Sequence, residues 1–227
     1  MIENAQDLTL EELRPALAPA VADSAIFDGW GDAALDMAAD IEGVERSVAR
    51  LAFKGRKGPG EVDPMALIVA WIDAIDSRMK AELPRSELAT LKIRERIRAL
   101  VAWRLEAVEG QEEALRRAMA VMAMPQNAAM AMKTGWRSAD LMWRLAGDTA
   151  TDYNHYTKRA ILAALYGSVL SVFVGDESEG KSETLAFLDR RIDNVMQFEK
   201  VKGQFLRPDA ERFSVTRFLG RLRYPAR

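Results

Sequence analysis

The chain has 227 residues, of which 49% are apolar, and its formal net charge is −2. A chain of this length can bury a sizeable hydrophobic core, whereas no uncharged apolar run reaches the roughly 18 residues that a membrane-spanning helix needs. It has no cysteine and one histidine, which excludes disulfides, thiolate metal sites, a cysteine nucleophile and zinc sites built on several imidazoles. The acidic N-terminus, which lacks the apolar core of a signal peptide, predicts a cytoplasmic protein.

The first 57 residues are predicted to form three helices in a helix-turn-helix module. Thr9 to Glu12 reads T-L-E-E, a capping-box pattern that opens a helix, and helical patterns follow over Asp32–Asp40 and Val44–Phe53. The arrangement resembles the DNA-binding module of TetR-type repressors. Residues 1–46, however, hold eleven acidic and two basic residues, and DNA affinity depends on Lys and Arg side chains that neutralise phosphates. We therefore predict a degenerate module that binds no nucleic acid.

Residues 58–203 are predicted to form a helical body, which follows a linker over Lys54–Gly60. Asp63 and Pro64 supply a cap and a first-turn proline for an apolar helix over Met65–Met79. A second helix is expected over Ser86–Val108, and its inward-facing residues are expected to be Leu91, Leu100 and Leu105.

The segment Ala114–Trp136 interleaves methionines with alanines and is broken by Pro125. Two interpretations are open: a core segment that uses methionine as filler, or a pocket wall that adapts to a long, flexible apolar ligand. The later run Ala160–Val174 is apolar nearly all round its helix, which is typical of the central helix of an all-helical bundle. The residues expected to line a lipid site on these segments are Met119, Met122, Met130, Trp143, Leu162, Leu165, Tyr166 and Val169.

A corner rich in aromatic side chains is predicted between the end of one helix and the start of the next, over Leu141–Arg159. Gly147 can adopt the left-handed conformation that closes a helix, and Asp152 can cap the helix that follows. Tyr153 and Tyr156 then fall on one side of that helix. The residues alone leave two alternatives open, a packed corner of the core or a docking surface.

Gly175–Ser182 reads G-D-E-S-E-G-K-S and literally satisfies the Walker A pattern of nucleotide-binding loops. Three of its four variable positions are the carboxylates Asp176, Glu177 and Glu179, which would repel phosphates. The chain also lacks the alternation of strands and helices that builds the required parallel sheet, so we predict no nucleotide binding. Other carboxylates sit at helix-surface spacing beside Lys or Arg, and His155 has one candidate carboxylate partner on its own helix. We therefore expect no catalytic residue, no metal and no cofactor.

The C-terminal part of the chain is basic. Residues 200–227 hold eight basic and two acidic residues, a net charge of +6, so the remainder carries −8. A helix is expected over Lys181–Lys202 and is expected to end at Gly203, with its inward-facing residues being Leu185, Leu188, Ile192, Val195 and Met196.

A last amphipathic helix is expected after Pro208, with apolar residues on one face and arginines on the other. Such a helix can lie in the headgroup layer of an anionic membrane, and the alternative is that it docks onto the body or onto a second subunit. The residues expected to contact a membrane are Val215, Arg217, Phe218, Leu219, Arg221 and Leu222.

The aromatic corner carries the most specific motif of the sequence. Its elements, in order, are Met142-Trp143, Ala146-Gly147-Asp148, Thr151-Asp152, Asn154, Tyr156-Thr157, Arg159-Ala160 and Leu162-Ala163-Ala164. This order resembles the signature of the COQ9 family of ubiquinone-biosynthesis proteins. The resemblance is close from about Trp136 to Phe198 and recognisable at Met124-Pro125 and Gly29-Trp30.

The resemblance implies an all-α, TetR-like and homodimeric fold that has lost DNA binding. It implies an apolar cavity for isoprenoid or quinone lipids, a C-terminal amphipathic helix on an anionic membrane surface, and a patch that docks the demethoxyubiquinone hydroxylase. By position, the patch residues are Met142, Asp152, Tyr153, His155 and Tyr156. Animal members have tryptophan where this chain has His155, and loss of that aromatic anchor predicts weaker docking. A bacterial member, peripherally associated with the inner membrane, is expected.

Three hypotheses follow from the sequence. The first is a non-enzymatic lipid-binding accessory protein of ubiquinone biosynthesis, with a degenerate helix-turn-helix module over residues 1–57, a lipid-binding body over 58–203 and a basic amphipathic segment over 204–227. The second is a TetR-type transcription regulator that responds to an apolar ligand. The third is a purely structural dimer without a ligand.

Overall fold

The computed structural model describes residues 8–54, 61–149 and 153–205, and it describes residues 153–154 and 198–205 as helical backbone. Within these ranges the chain is helical, apart from turns and an isolated antiparallel bridge between Lys54 and Val62. This confirms the predicted all-α class. The α-helices are α1 (Leu10–Asp28), α2 (Asp32–Glu42), α3 (Arg46–Ala52), α4 (Pro64–Glu82), α5 (Arg85–Leu88), α6 (Ile93–Glu106), α7 (Glu112–Met122), α8 (Ala128–Leu145), α9 (Tyr153–Phe173) and α10 (Ser182–Phe205), with short 3₁₀ turns at Pro125–Asn127 and Glu179–Lys181.

The chain divides into two compact units, residues 1–189 and residues 190–227. The first unit contains α1 to α9 and the first turns of α10. The described part of the second unit, residues 190–205, is the C-terminal part of α10. None of the helices in the described ranges is long and apolar enough to cross a membrane.

The first three helices pack together as the predicted helix-turn-helix module. The capping box of α1 is present, because Glu12 N donates to Thr9 Oγ1 (3.3 Å) and Thr9 N donates to Glu12 Oε2 (2.9 Å). Gly43 ends α2 in the left-handed conformation, with φ +73°, a backbone geometry that glycine adopts without steric cost. Helix α1 packs against both α2 and α3.

The basic side chains of α3 are paired within this module. Arg46 Nη2 lies 2.5 Å from Asp40 Oδ2, and Arg50 Nε donates to Asp36 Oδ1 at 2.9 Å. Because both guanidinium groups already have carboxylate partners, α3 carries little free positive charge. This pairing agrees with the module's excess of acidic residues.

Helix α4 connects the module to the rest of the first unit. Its start is as predicted: Asp63 Oδ1 accepts from Met65 N at 3.0 Å, and Pro64 is the first helical residue. Further along α4, the Trp71 ring packs 5.2 Å from the Trp30 ring. The Trp30 indole donates to the carbonyl of Ala114 in α7 at 2.9 Å, so the two tryptophans bring α4 and α7 together with the segment that precedes α2.

The helix predicted over Ser86–Val108 is two helices, α5 and α6, and the prediction of one was wrong. The chain turns between them, and Arg96 of α6 stabilises the turn by donating to the carbonyls of Leu91 (2.8 Å) and Ala89 (2.9 Å). Since these carbonyls lie outside the helices, the guanidinium supplies the hydrogen bonds that helix continuation would have given. Leu91, predicted to face inward, is 38% exposed.

Helix α10 continues through Gly203 to Phe205, so the predicted end at Gly203 was wrong. A glycine in a helix interior costs only about 1 kcal/mol relative to alanine, which does not force a helix to end. Met196, expected to face inward, is exposed. Residues 206–227, which include every predicted membrane-contacting residue, lie outside the described residues.

The Walker-like segment Gly175–Ser182 follows helix α9 and not a strand. It forms the turn that leads into α10, which begins at Ser182. The Asp176 carboxylate accepts from Thr184 N (2.8 Å) and from Ser178 N (2.9 Å). Burial acts to raise the pKa of Asp176, but hydrogen bonds from Ser178 and Thr184 outweigh it and hold the pKa below its usual value. Lys181 Nζ donates to the Asp176 carbonyl at 2.8 Å and pairs with Glu112 at 2.9 Å. The lysine of the motif is therefore part of the protein's own packing.

Candidate functional site

An apolar cavity of about 330 Å³ lies among α4, α6, α7, α8 and α9. Its volume is at the lower end of the range of small-molecule pockets, and its walls are mostly aliphatic, aromatic and thioether groups. The lining residues are Trp71, Ile72, Ile75, Arg104, Val108, Leu115, Ala118, Met119, Met122, Ala123, Thr134, Gly135, Ser138, Ala163, Tyr166, Gly167 and Leu170.

The cavity includes some of the residues predicted for a lipid site. Met119, Met122 and Tyr166 line it. The other predicted residues of α9 lie elsewhere: Leu162, Leu165 and Val169 are buried in the core and do not line it. Helix α9 is apolar on all sides, so its sequence did not identify the face that meets the cavity.

Two further predicted lining residues lie away from the cavity. Met130 is 43% exposed, and its neighbours Met124 (43%) and Met132 (76%) are exposed as well. Trp143 lies at the corner between α8 and α9, where its indole donates to the Lys158 carbonyl at 2.9 Å. Neither Met130 nor Trp143 lines the cavity.

The cavity also has a polar group that sequence reasoning missed, centred on Arg104. Its guanidinium is 2% exposed and pairs through Nη1 with Asp76 Oδ1. Asp76 Oδ2 accepts from Ser138 Oγ at 2.9 Å, and the guanidinium carbon lies 5.0 Å from the centre of the Tyr166 ring. Burial acts to lower the pKa of Arg104, but Tyr166 and the Asp76 carboxylate outweigh it and raise the pKa above its usual value. The cavity therefore contains one cation that is held charged.

A polar cleft of about 380 Å³ is lined by residues of α4 and α8 and shares Asp76 with the cluster around Arg104. Its lining residues are Asp73, Asp76, Ser77, Lys80, Arg137, Asp140, Leu141 and Arg144. Burial raises the pKa of Asp73, against the opposing charge of Arg137, with which it pairs. Asp76 thus links this charged cleft to the Arg104 cation in the apolar cavity.

The aromatic corner is held by a buried ion-pair network between α8 and α9. Arg159 Nε donates to Asp140 Oδ1 at 2.6 Å, and its Nη1 lies 3.1 Å from Asp148 Oδ2. Lys158 Nζ donates to the other oxygen of Asp148 at 2.7 Å and lies 5.4 Å from the centre of the Trp143 ring. Asp148 therefore orients the first turns of α9, which is a structural role.

Gly147 ends the preceding segment with φ +92°. A β-carbon there would lie 3.0 Å from Arg96 Nη1, and the same nitrogen donates to the Ala146 carbonyl at 2.8 Å. Gly147 thus permits both the backbone turn and the close approach of Arg96, as its position in the motif predicts for a helix-closing glycine.

The predicted docking patch is only partly an exposed surface. Tyr156 is 63% exposed; its ring lies 6.0 Å from that of Trp136 and 5.1 Å from that of His155. Met142 is fully buried, so its expected surface position was wrong. Its place on α8 faces the core, and a single motif cannot show which side of a helix faces solvent.

Two other patch residues have no described side chain: Asp152 lies outside the described residues, and Tyr153 is described as helical backbone. Trp136, which sequence reasoning did not include in the patch, is half-buried and packs beside Tyr156, so the two form an aromatic pair that is exposed through Tyr156. Its position at the start of the stretch Trp136–Phe198, which resembles the COQ9 family, was the signal that could have identified it. No group of three or more His, Cys, Asp or Glu side chains suited to a metal occurs among the residues that the structure describes.

Comparisons with known proteins point to one family. Residues 128–199, which include α8, the corner and α9, match the COQ9 family model. The chain is 39% identical over 80 residues to "Ubiquinone biosynthesis protein COQ9, mitochondrial" of Rattus norvegicus, which covers 35% of this chain and 26% of the relative. It is 27% identical over 193 residues to the protein of the same name from Homo sapiens, covering 82% and 58%. A probable COQ9 of Dictyostelium discoideum is 30% identical over 116 residues, covering 51% and 38%.

The match to these relatives covers 26 to 58% of their lengths. Among solved structures, a TetR transcriptional regulator from Nitrosomonas europaea ATCC 19718 superposes with a TM-score of 0.63 at 22% identity, covering 82% of this chain and 98% of that chain. This likeness confirms the predicted TetR-like fold. The family match over residues 128–199, the curated relatives and the shared fold together show a chain that is similar to COQ9 proteins over part of its length and has a TetR-like all-helical fold.

Proposed function

We propose that this protein is a non-enzymatic, lipid-binding accessory protein of ubiquinone biosynthesis. In this proposal it binds isoprenoid or quinone intermediates at the inner face of a bacterial membrane and presents them to the demethoxyubiquinone hydroxylase. The observation that carries the proposal is the apolar cavity, because two of the five helices that line it, α8 and α9, lie within residues 128–199, which match the COQ9 family model. The names of the relatives support the role in ubiquinone biosynthesis.

The chemistry of the cavity walls suits an apolar ligand. Met119 and Met122 can adjust their unbranched side chains to a flexible chain, and Trp71, Ile72 and Ile75 supply a rigid opposite wall from α4. Binding removes apolar ligand surface from water, which contributes roughly 25 cal/mol for each Å². A cavity of this kind therefore favours hydrophobic small molecules over soluble metabolites.

The hydroxylase partner is proposed to dock on the exposed aromatic pair, Tyr156 and Trp136. Tyrosine and tryptophan are enriched among residues that dominate binding energy at interfaces. The pair lies close to the cavity along the chain, since Gly135, directly before Trp136, lines the cavity. A docked partner would thus sit near a bound lipid.

Membrane association is proposed to depend on the basic segment after Pro208, and the protein is proposed to act as a homodimer. Deletion of residues 208–227 should reduce sedimentation with anionic vesicles. Unchanged sedimentation would remove the segment from the proposed membrane contact.

A TetR-type regulator is the second candidate function, and the fold of the Nitrosomonas protein favours it. The pairing of Arg46 and Arg50 with Asp36 and Asp40 argues against it, because a recognition helix needs free cations near phosphates. A mobility-shift assay with DNA upstream of the protein's own gene separates the two: a specific shift would favour the regulator. A dimer without any ligand is the third alternative.

The direct test of lipid binding fills the cavity. Gly135 lines it, and a β-carbon there meets no atom within 4 Å, so Gly135→Leu adds bulk with little backbone conflict. Lipids that co-purify with the wild type, measured by mass spectrometry, should be reduced at least several-fold in this variant. Ala129→Leu is the matched control, since Ala129 is exposed on the same helix. Equal lipid recovery from Gly135→Leu and wild type, or no lipid from either, would contradict the proposal.

A further inference from the structure

From the arrangement around Arg104 we infer that the cavity selects ligands with a neutral hydrogen-bond acceptor, such as a carbonyl oxygen, and that the Arg104 guanidinium donates a hydrogen bond to this oxygen. The inference rests on the proposed lipid-binding function and adds the chemistry of the ligand's polar end. Arg104 lines the cavity and is nearly fully buried, so any polar group of a bound lipid that reaches it does so away from water.

Arg104 has hydrogen-bonding capacity left over. Its Nη1 is engaged with Asp76, and Tyr166 covers a face of the guanidinium. Among the residues that the structure describes, Arg104 Nε is the buried polar side-chain atom that has no hydrogen-bond partner in the protein. A guanidinium has five N–H donors, and since Nε has almost no accessible surface, a ligand acceptor in the cavity meets the Nη groups of Arg104.

The charges around Arg104 favour a neutral acceptor over an anion. Asp76 already neutralises the guanidinium, and Ser138 donates to the second oxygen of Asp76. The other residues that line the cavity carry no formal charge. A carboxylate brought into the cavity would meet the Asp76 charge nearby and would leave a net negative charge in an apolar environment, which is unfavourable. A carbonyl oxygen accepts the hydrogen bond without that penalty.

The residues beside Arg104 complete the selective end of the cavity. Thr134 and Ser138 lie one helical turn apart on α8 and both line the cavity, while the methionine wall on α7 remains apolar. The cavity thus has one polar position among apolar walls, the arrangement by which a few placed polar groups fix the orientation of a mostly hydrophobic ligand.

The test compares three ligands of matched size: geranylacetone, which has a methyl ketone, the hydrocarbon that lacks the ketone oxygen, and geranylacetic acid, in which a carboxylate oxygen replaces the methyl group of the ketone at neutral pH. Dissociation constants are measured with the full-length protein by calorimetry and by fluorescence of Trp71 and the other tryptophans. We expect the ketone to bind about tenfold more tightly than the hydrocarbon, since a hydrogen bond to a charged donor has about that effect. We expect the carboxylate to bind more weakly than the ketone.

The variant Arg104→Lys tests the residue itself. It keeps a cation for Asp76 but lacks the planar fork of donors with which one guanidinium can bond Asp76 and a ligand together, so the tenfold preference for the ketone should be lost while hydrocarbon binding stays the same. If this variant does not fold, the double variant Arg104→Met with Asp76→Leu replaces the whole buried pair by apolar groups, a change that proteins often tolerate, and it should show the same loss of preference.

The outcomes separate this inference from the proposed function. Binding of none of the three ligands would contradict lipid binding itself. Equal binding of ketone and hydrocarbon by the wild type, as when a water molecule occupies the free donors of Arg104, would overturn the inference alone. Tighter binding of the carboxylate than of the ketone, or a ketone preference that persists in the variants, would also overturn it.

Discussion

Arg159 of α9 and Asp148, which lies just after α8, form an ion pair at 3.1 Å in which both side chains are almost fully buried. The pair joins the two helices on either side of the corner that carries the family motif, so it positions α9 relative to both the cavity and the exposed aromatic pair. Its energetic importance comes less from attraction than from the cost of leaving a buried charge alone.

Replacing Asp148 by alanine should therefore destabilise the fold. Loss of a partner from a buried pair costs roughly 3–5 kcal/mol, and because Arg159 keeps Asp140 as a second partner, we expect a loss of about 2–3 kcal/mol in the free energy of unfolding. Urea denaturation measures it. The control is Asp189→Ala, which breaks the half-exposed Arg98–Asp189 pair and should cost less than about 1 kcal/mol. Equal losses in the two variants would contradict the structural role of the corner network.

Gly147→Ala tests the glycine that ends the segment before α9. A positive φ costs an L-residue about 1–2 kcal/mol, and the new β-carbon would also displace Arg96 from the Ala146 carbonyl. We expect a total loss of about 2–3 kcal/mol by the same urea measurement. Gly110 separates the two effects, because its φ is +83° but a β-carbon there meets no atom within 4 Å.

Gly110→Ala should thus lose only the backbone part, about 1–2 kcal/mol. If the two glycine variants lose the same amount, the Arg96 contact contributes nothing.

Gly135→Ala should have the opposite effect and raise the free energy of unfolding by about 0.5–1 kcal/mol, since Gly135 has an ordinary helical conformation with open space around it.

Local signals in the sequence predicted the helices and their caps, because capping at Thr9 and Asp63 depends on residues within one turn. The cavity was predicted only in part, since its walls come from five helices that are far apart in the chain. Met119 and Met122 could be found from their composition, but Arg104 was missed, because leucines alone were predicted to face inward on its helix. Its role depends on Asp76, which is 28 positions away and reaches it only through the packing of α4 against α6.

The same limit applies to the docking corner. The motif identified the corner, but Met142 of α8 is fully buried and belongs to the core. A family motif mixes residues kept for packing with residues kept for contact, and sequence spacing alone does not separate them. Exposure does, and it selects Tyr156.

The pH dependence of stability should reveal the role of Asp176 at the start of α10. Its pKa is lower in the folded protein than its ordinary value, which in unfolded chains is about 3.9. The carboxylate therefore stabilises the fold above about pH 4, and this contribution is lost as the pH falls through the folded pKa. Asp176→Asn should reduce the free energy of unfolding by about 0.5–2 kcal/mol at pH 7, the usual range for a helix cap.

The difference between wild type and Asp176→Asn should shrink as the pH is lowered from 5 to 3, measured by chemical denaturation at each pH. Glu177→Gln is the control, since Glu177 is exposed and is expected to change stability by less than about 0.5 kcal/mol. A difference that grows towards acid pH would contradict the lowered pKa.

The exposed aromatic pair should dominate binding of the proposed hydroxylase partner. Tyr156 is mostly exposed, so Tyr156→Ala should change stability by less than about 0.5 kcal/mol, whereas an aromatic anchor at an interface contributes about 2 kcal/mol or more, a loss of roughly thirtyfold in affinity. The measurement is the dissociation constant with purified hydroxylase by surface plasmon resonance. Met132→Ala is the matched control, because Met132 is 76% exposed on α8 and lies outside the predicted patch.

His155→Trp gives the complementary result. The His155 ring lies edge-on to Tyr156, 5.1 Å away, so a larger aromatic ring at this position would extend the exposed aromatic surface beside Tyr156 and should increase affinity several-fold. An affinity unchanged by both Tyr156→Ala and His155→Trp would place the partner elsewhere on the molecule. A loss in Tyr156→Ala without a gain in His155→Trp would keep Tyr156 in the contact and show that the interface has no space for a tryptophan at position 155.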